Sequence, residues 1–281
     1  MDPLAPLIAS LNADGRLRVW SLVITVFGDS IEPRGGSVST ARLQRLLGRI
    51  GVEPGALRTA LSRLSRDGWV EGTRAGRISH YRLTPSGRAR FTDATSRIYA
   101  PPTPATDSDA DVGAQGWTLI WQDPPDPRHP QIGGLTLRPA ADPDAAQAPA
   151  AFRMTGRITA LSDTLRATLL PDPQRTALAR LGADLAALTP PAAAALSPLD
   201  AAAARTLLIH RWRRIVLRYP DWPTALLPPD WAELPPRAAV AGCWQALTPA
   251  AEQWWTSQSP ELPALPRAEP AFFQRFQQPG A

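Results

Sequence analysis

Apolar residues recur along the chain at helical spacing, interrupted by glycine and proline, and this rhythm predicts most of the elements. Residues 16–27 carry Leu17, Trp20, Leu22, Val23, Ile24 and Phe27 and predict a buried helix. Glu32-Pro33-Arg34-Gly35-Gly36 predicts a turn. A second helix should open at Ser39 or Thr40, both good N-caps, and run through Leu43, Leu46 and Leu47 until Gly48 to Gly51 end it. Val52-Glu53-Pro54 opens a third helix, with proline in the first turn, where a missing N–H does no harm; Gly68 stops it after Asp67.

The third helix sorts its residues cleanly at 100° per residue. Leu57, Ala60, Leu61 and Leu64 form one apolar stripe, while Arg58, Thr59, Ser62, Arg63 and Arg66 point the other way. After it, Trp69-Val70-Glu71 reads as a short strand, Gly72 to Gly76 as a loop, and residues 77–83 as a second strand. Thr84-Pro85-Ser86 caps a helix that runs to Tyr99. Helix, turn, helix and a glycine-bounded hairpin together predict a winged helix-turn-helix over residues 1–99.

Residues 100–116, rich in Pro, Asp, Thr and Ala, predict a linker. Residues 117–122, 135–138 and 152–158 read as strands. Four prolines within residues 123–130 exclude a helix there. The last third is helical. Residues 178–188 form one amphipathic helix. Asp200 caps a long helix over 201–219, with Leu208, Trp212, Ile215 and Val216 on one side and His210, Arg213 and Arg214 turned away. A further helix holds Val240, Trp244 and Leu247, and a separate one follows Thr248-Pro249 with Trp254 and Trp255.

Charge sharpens this picture. Lysine is absent, so every Lys/Arg cation is arginine. Residues 1–99 hold 15 Arg against 8 acidic residues, while the rest holds 15 Arg against 17. A basic first domain is the footprint of a polyanion binder or, alternatively, a solvated basic face. The order of elements favours the first. Arginine forks suit guanine O6 and N7, and hydroxyls suit bases or phosphates. Arg58, Thr59, Ser62, Arg63 and Arg66 are therefore expected to face the major groove of double-stranded DNA, with Arg58, Ser62 and Arg63 reading bases. Thr40, Arg42 and Arg74 would hold phosphates, and the hairpin's Arg74 and Arg77 would reach the backbone or the minor groove. His80 reads as a half-buried or surface strand residue.

Other chemistries are poorly represented. The single cysteine, Cys243, supports neither a disulfide framework nor a cysteine zinc site, and three dispersed histidines make no metal cluster. A lysine phosphate loop and a Gly-x-Ser-x-Gly elbow are both missing. Asp123, after the first middle strand, reads as a loop residue rather than a nuclease ligand. Neither catalysis nor a cofactor is expected. The longest apolar stretch is too short to span a bilayer and the first residues lack a basic secretory start, so a cytoplasmic protein is expected.

Several stretches then resemble one family. Phe27-Gly28-Asp29, Pro33-Arg34-Gly35-Gly36, Arg58-Thr59-Ala60-Leu61-Ser62-Arg63-Leu64, Asp67-Gly68-Trp69 and Tyr81-Arg82-Leu83-Thr84 are similar to the PaaX-type repressors of phenylacetate degradation. A second block, residues 208–214 followed by Pro220-Asp221-Trp222-Pro223 and Leu226 to Trp231, is similar to that family's C-terminal region. The resemblance implies a homodimeric repressor on a palindromic operator, with phenylacetyl-CoA as inducer. It also implies a ferredoxin-like middle domain, which the prolines after residue 122 would reduce. The fold class is accordingly α+β: a winged helix-turn-helix (1–99), a small reduced ferredoxin-like domain (115–172) and a helical effector and dimerisation domain (173–281).

An acyl-CoA needs cations for its phosphates and an apolar slot for its acyl end. His210, Arg211, Trp212, Arg213, Arg214, Trp222 and Trp231 are the candidates, with core packing and local ion pairing as the alternative for each. A repressor sensing another acyl-CoA and a sequence-indifferent architectural DNA binder are the competing functional readings.

Overall fold

The computed structural model describes residues 2–13, 15, 17–76, 78–102, 116–124, 126, 129–169, 172–219, 226 and 236–277. The chain mixes helices with small antiparallel sheets and divides into two compact units. One comprises Met1–Pro101, Arg180–Arg214 and Arg237–Ala281; the other comprises Pro102–Ala179 and Ile215–Pro236.

The first unit begins with helices α1 (Ala5–Ala13) and α2 (Val19–Val26). Six consecutive residues of α2, Ser21 to Val26, are buried, as an almost wholly apolar helix requires. The chain does not turn at once. It continues through a π-helical turn, Phe27–Ile31, and a 3₁₀ turn, Glu32–Arg34, and stops at Gly35 with φ of 92°. Strand β1 (Ser37–Ser39) and helix α3 (Thr40–Arg49) follow, and the Ser39 hydroxyl accepts from the Arg42 N–H at 3.3 Å.

Helix α4 (Pro54–Arg66) comes next. Its exit has the paired bonds of a glycine-terminated helix: the Trp69 N–H donates to the Leu64 carbonyl at 2.9 Å and the Gly68 N–H to that of Ser65 at 3.1 Å. Gly68 takes φ of 71°, as that motif needs. Strands β2 (Val70–Ala75) and β3 (Ile78–Leu83) then pair antiparallel, with β1 on the far side of β3. The hairpin is longer than the sequence suggests. Residues 72–75 pair as strand with 78–81 rather than looping out, and the Tyr81 ring lies over Gly72, its Cε1 only 3.2 Å from where a Cβ would stand. Helix α5 (Pro85–Ile98) completes this half, capped by the Thr84 hydroxyl, which accepts from the Gly87 N–H at 2.9 Å.

The second unit holds β4 (Gly116–Trp121), β5 (Gln131–Ile132), β6 (Leu135–Pro139) and β7 (Phe152–Arg157) in the antiparallel order β5-β6-β4-β7. Among the described residues, two short helices lie between and after its last strands, α6 (Pro143–Gln147) and α7 (Asp163–Leu169). Its core gathers Trp117, Leu137, Leu169 and Leu226.

Helix α8 (Asp172–Ala187) leads to α9 (Pro190–Ala194), α10 (Pro198–Val216), α11 (Pro236–Thr256) and α12 (Pro270–Phe273). Three expectations fail here. The two helices expected either side of Pro249 are one helix, because buried Leu247 and Ala251 hold both flanks in the same core. Helix α10 is not two-faced either: residues 201–212 are all buried, polar ones included. Its start lies one turn earlier than expected, with Ser197 and Asp200 bonded reciprocally, Asp200 N–H to Ser197 Oγ at 3.2 Å and Ser197 Oγ to Asp200 Oδ2 at 2.8 Å. Among the described residues, no helix is long and apolar enough to cross a membrane, and no His, Cys, Asp or Glu cluster could hold a metal.

Candidate nucleic-acid interface

Helix α4 packs against α2, α3 and β2. Leu57, Ala60, Leu61 and Leu64 make that contact and are buried. The opposite face carries Arg58, Thr59, Ser62, Arg63 and Arg66, all exposed. The Thr59 hydroxyl donates back to the Gly55 carbonyl at 3.0 Å, which leaves its lone pairs outward. Arg63 is held more firmly than its neighbours. Its guanidinium lies 5.4 Å from the centre of the Trp20 ring and 3.5 Å from the Asp67 carboxylate. That carboxylate is a modification of the expected all-cationic face, since it sits just past the helix end and draws Arg63 toward it.

The hairpin supplies a second basic feature. Arg74 is exposed near its tip, with Nε donating to the Gly76 carbonyl at 3.1 Å. Arg77 lies outside the described residues. Half-buried His80 sits on β3. Thr40 is half-buried, and its hydroxyl donates to the Ser79 carbonyl at 3.1 Å, tying α3 to the hairpin.

Arg42 is a correction. A phosphate contact needs a solvent-facing cation, but Arg42 is fully buried. Its guanidinium donates to backbone carbonyls of Trp254, Ser257 (2.6 Å) and Leu262 (3.0 Å) and stacks 5.0 Å from the Trp254 ring. The helical wheel held the signal, because Arg42 precedes buried Leu46 by four residues and shares its face. The same wheel turns Gln44 and Arg45 outward, and both are exposed on α3. These are the interface candidates that the sequence reading passed over.

The C-terminal candidates are also corrected. His210 is buried, with Nδ1 2.9 Å from the Thr25 hydroxyl of α2. Burial, then the neighbouring charges of Arg213, Arg214 and Arg211, push its pKa down to about 3, so the ring is neutral. Arg211 is buried against Asp184 and donates to Ser10 Oγ at 2.8 Å. Trp212 is buried; its indole N–H donates to the Ile98 carbonyl at 2.8 Å, under the Arg237 guanidinium at 5.0 Å. These three residues fasten α10 to α8, α1, α2 and α5, and none is open to a ligand. Half-buried Arg213 donates to Ser21 Oγ at 3.0 Å, and Arg214 is exposed. Trp222 and Trp231 lie outside the described residues.

The regions that carry these features are those matched by known families. The family model described as PaaX-like protein matches residues 18–87, from α2 to the start of α5. The model for the PaaX-like protein C-terminal domain matches residues 176–257, from α8 through α11. The transcriptional repressor PaaX of Escherichia coli (strain K12) is 30% identical over 91% of this chain and 89% of its own length. The chain belongs to the PaaX-like family. That places it among transcriptional repressors rather than enzymes. Within this PaaX-like chain, the exposed face of α4 falls inside the N-terminal match and the buried helix α10 inside the C-terminal one.

Proposed function

We propose that this chain is a DNA-binding transcriptional repressor of a catabolic operon, acting as a homodimer on a palindromic operator. The first hundred residues serve as a winged helix-turn-helix, with α4 as the reading helix and β2–β3 as the wing. The observation that carries this reading is the face of α4, where three arginines and two hydroxyls stand exposed over a buried leucine stripe. Arg58, Ser62 and Arg63 read base edges, Arg66 and Thr59 support them, and Arg74 and Arg77 hold backbone or minor groove. Two such heads enter successive major grooves about 34 Å apart.

The second unit is a reduced ferredoxin-like domain. Its strand order supports that reading, since the first and third strands lie centrally, as in a split βαβ arrangement, while one crossover helix is replaced by a proline-rich loop and the other is cut to one turn. The inducer is an aromatic acyl-CoA such as phenylacetyl-CoA, as the resemblance to the repressors of phenylacetate degradation implies. Of the candidates on α10, Arg213 and Arg214 remain as contacts for its phosphates.

Selection of bound fragments from a genomic DNA pool, followed by competition, tests the first part. A specific repressor keeps its operator against about a 10³-fold excess of unrelated DNA. Equal loss to unrelated DNA would make the chain an architectural binder. Adding phenylacetyl-CoA beside acetyl-CoA, free CoA and phenylacetate tests the second part: selective release by the aromatic thioester supports it, and release by none of them removes it.

A further inference from the structure

Two of the sequence motifs have no part in the exposed face of α4. Phe27-Gly28-Asp29 and Pro33-Arg34-Gly35-Gly36 lie in the turns that continue α2. Their charged residues point inward, into the C-terminal helices.

Asp29 is fully buried. Its Oδ2 accepts from Arg205 Nε of α10 at 3.0 Å and from Ser30 Oγ at 2.9 Å, and its Oδ1 from the Tyr99 hydroxyl at 2.8 Å and the Trp244 indole at 3.2 Å. Arg205, equally buried, reaches on to Glu252 of α11 at 3.1 Å. Both carboxylate oxygens of Glu252 in turn accept from one nitrogen of Arg34, Nη2, at 2.7 and 2.8 Å. The result is a chain of alternating charge, Asp29–Arg205–Glu252–Arg34. Arg275, beyond α12, joins it by donating to the Asp29 and Gly28 carbonyls at 2.8 and 3.1 Å. The Glu269 N–H adds a backbone bond to the Pro33 carbonyl at 2.8 Å.

A buried chain of this kind has one good geometry. Moving one member away strands another charge in a low dielectric, so small displacements are costly and large ones abrupt. The anchors on the N-terminal side, Asp29 and Arg34, belong to the rigid continuation of α2, and α2 packs directly on α4. The elements in line are therefore α10 and α11, the ion chain, α2, and the reading face.

We infer that helices α10 and α11 are the second half of the reading head, and that Asp29, Arg34, Arg205 and Glu252 are positioning residues that set α4 for DNA. The inference rests on the proposed DNA reading for its functional consequence, but the mechanical link stands apart from it. A shift of α10 and α11 alters the DNA-reading face through this chain without any ligand touching that face.

The test uses two full-length variants, Glu252→Gln and the double variant Arg34→Met with Glu252→Met. The double variant removes both charges and leaves apolar volume, so its fold survives where a single broken pair fails. In whichever variants melt cooperatively, amide hydrogen exchange is followed in α2, Phe27–Ile31 and α4. Exchange there is expected to quicken about tenfold as this segment opens on its own. Operator affinity is expected to fall about tenfold, with affinity for random DNA unchanged. A folded double variant whose α4 exchange and operator-to-random ratio both match the wild type overturns the inference. Wild-type protein that fails to prefer any operator sinks the DNA reading instead, and the exchange measurement still decides the mechanical link.

Discussion

The imidazole of His210 and the hydroxyl of Thr25 meet at 2.9 Å, joining α10 to α2, the helix on which α4 packs. The ring sits among Arg211, Arg213 and Arg214, and burial with those charges holds its pKa down to about 3, against about 6.5 in an unfolded chain. The sign follows from the lowered value. Between those limits the unfolded chain binds a proton that the folded chain refuses, so this contribution is complete above pH 6.5 and is lost as pH falls toward 3. Each pH unit in that window costs about 1.4 kcal/mol from this group. His210→Gln can still bond Thr25 and carries no proton. Its urea-unfolding stability should therefore fall less steeply than the wild type's from pH 6.5 to 4.5. Parallel pH profiles would show that His210 is not the titrating group.

Arg58 is exposed on α4, and among the described residues no carboxylate contact of the kind that Asp67 makes with Arg63 is seen at it. If it forks onto guanine, Arg58→Ala should cost about 1–3 kcal/mol on the operator. Fluorescence anisotropy with operator duplexes carrying each base change at one position then locates the contact, since the variant should lose discrimination at that position alone. Equal weakening on every duplex would reassign Arg58 to a phosphate.

How much was legible in the sequence differs between the two ends of the chain. Helix α4 was readable because one face is buried and one is wet, so periodicity separates them. The glycine stops of α3 and α4 were readable because a left-handed residue is needed there, and Gly51 and Gly68 take φ of 90° and 71°. Helix α10 broke the same rule. Arg205, His210 and Arg211 lie inside it, satisfied by Asp29, Thr25 and Asp184, and the first two of those partners are 176 and 185 residues away. A polar residue paired at such a distance leaves no local trace, so a wheel turns it outward. Strand β1 was missed because Ser-Val-Ser has no strand signal of its own and exists through its pairing with β3.

Arg42 separates stability from binding. Its guanidinium satisfies three backbone carbonyls in the interior, and each acceptor stranded by its loss costs about 1–3 kcal/mol. Arg42→Met should lower the melting temperature by about 10 °C. The salt dependence of DNA binding by the folded protein should be unchanged, whereas losing a true phosphate contact lowers the slope of log affinity against log salt by about 0.9. A variant with wild-type melting and a reduced slope would return Arg42 to the DNA surface.

Arg63 and Arg74 carry the same charge in different settings, and a single substitution tells them apart. Arg63 lies over the Trp20 ring with its edge toward Asp67, a planar, oriented fork suited to a base edge. Arg74 is exposed at the hairpin tip, where it bonds the Gly76 carbonyl in its own turn, and suits a phosphate as a point charge. Lysine keeps the charge but loses both the fork and the stacking plane. Arg63→Lys should therefore weaken operator binding by about 1–3 kcal/mol while the salt slope holds. Arg74→Lys should leave affinity and slope near the wild type, and Arg74→Ala should weaken operator and random DNA alike. The reverse pattern, with Arg63→Lys silent and Arg74→Lys selective for the operator, would move base reading from the helix to the wing.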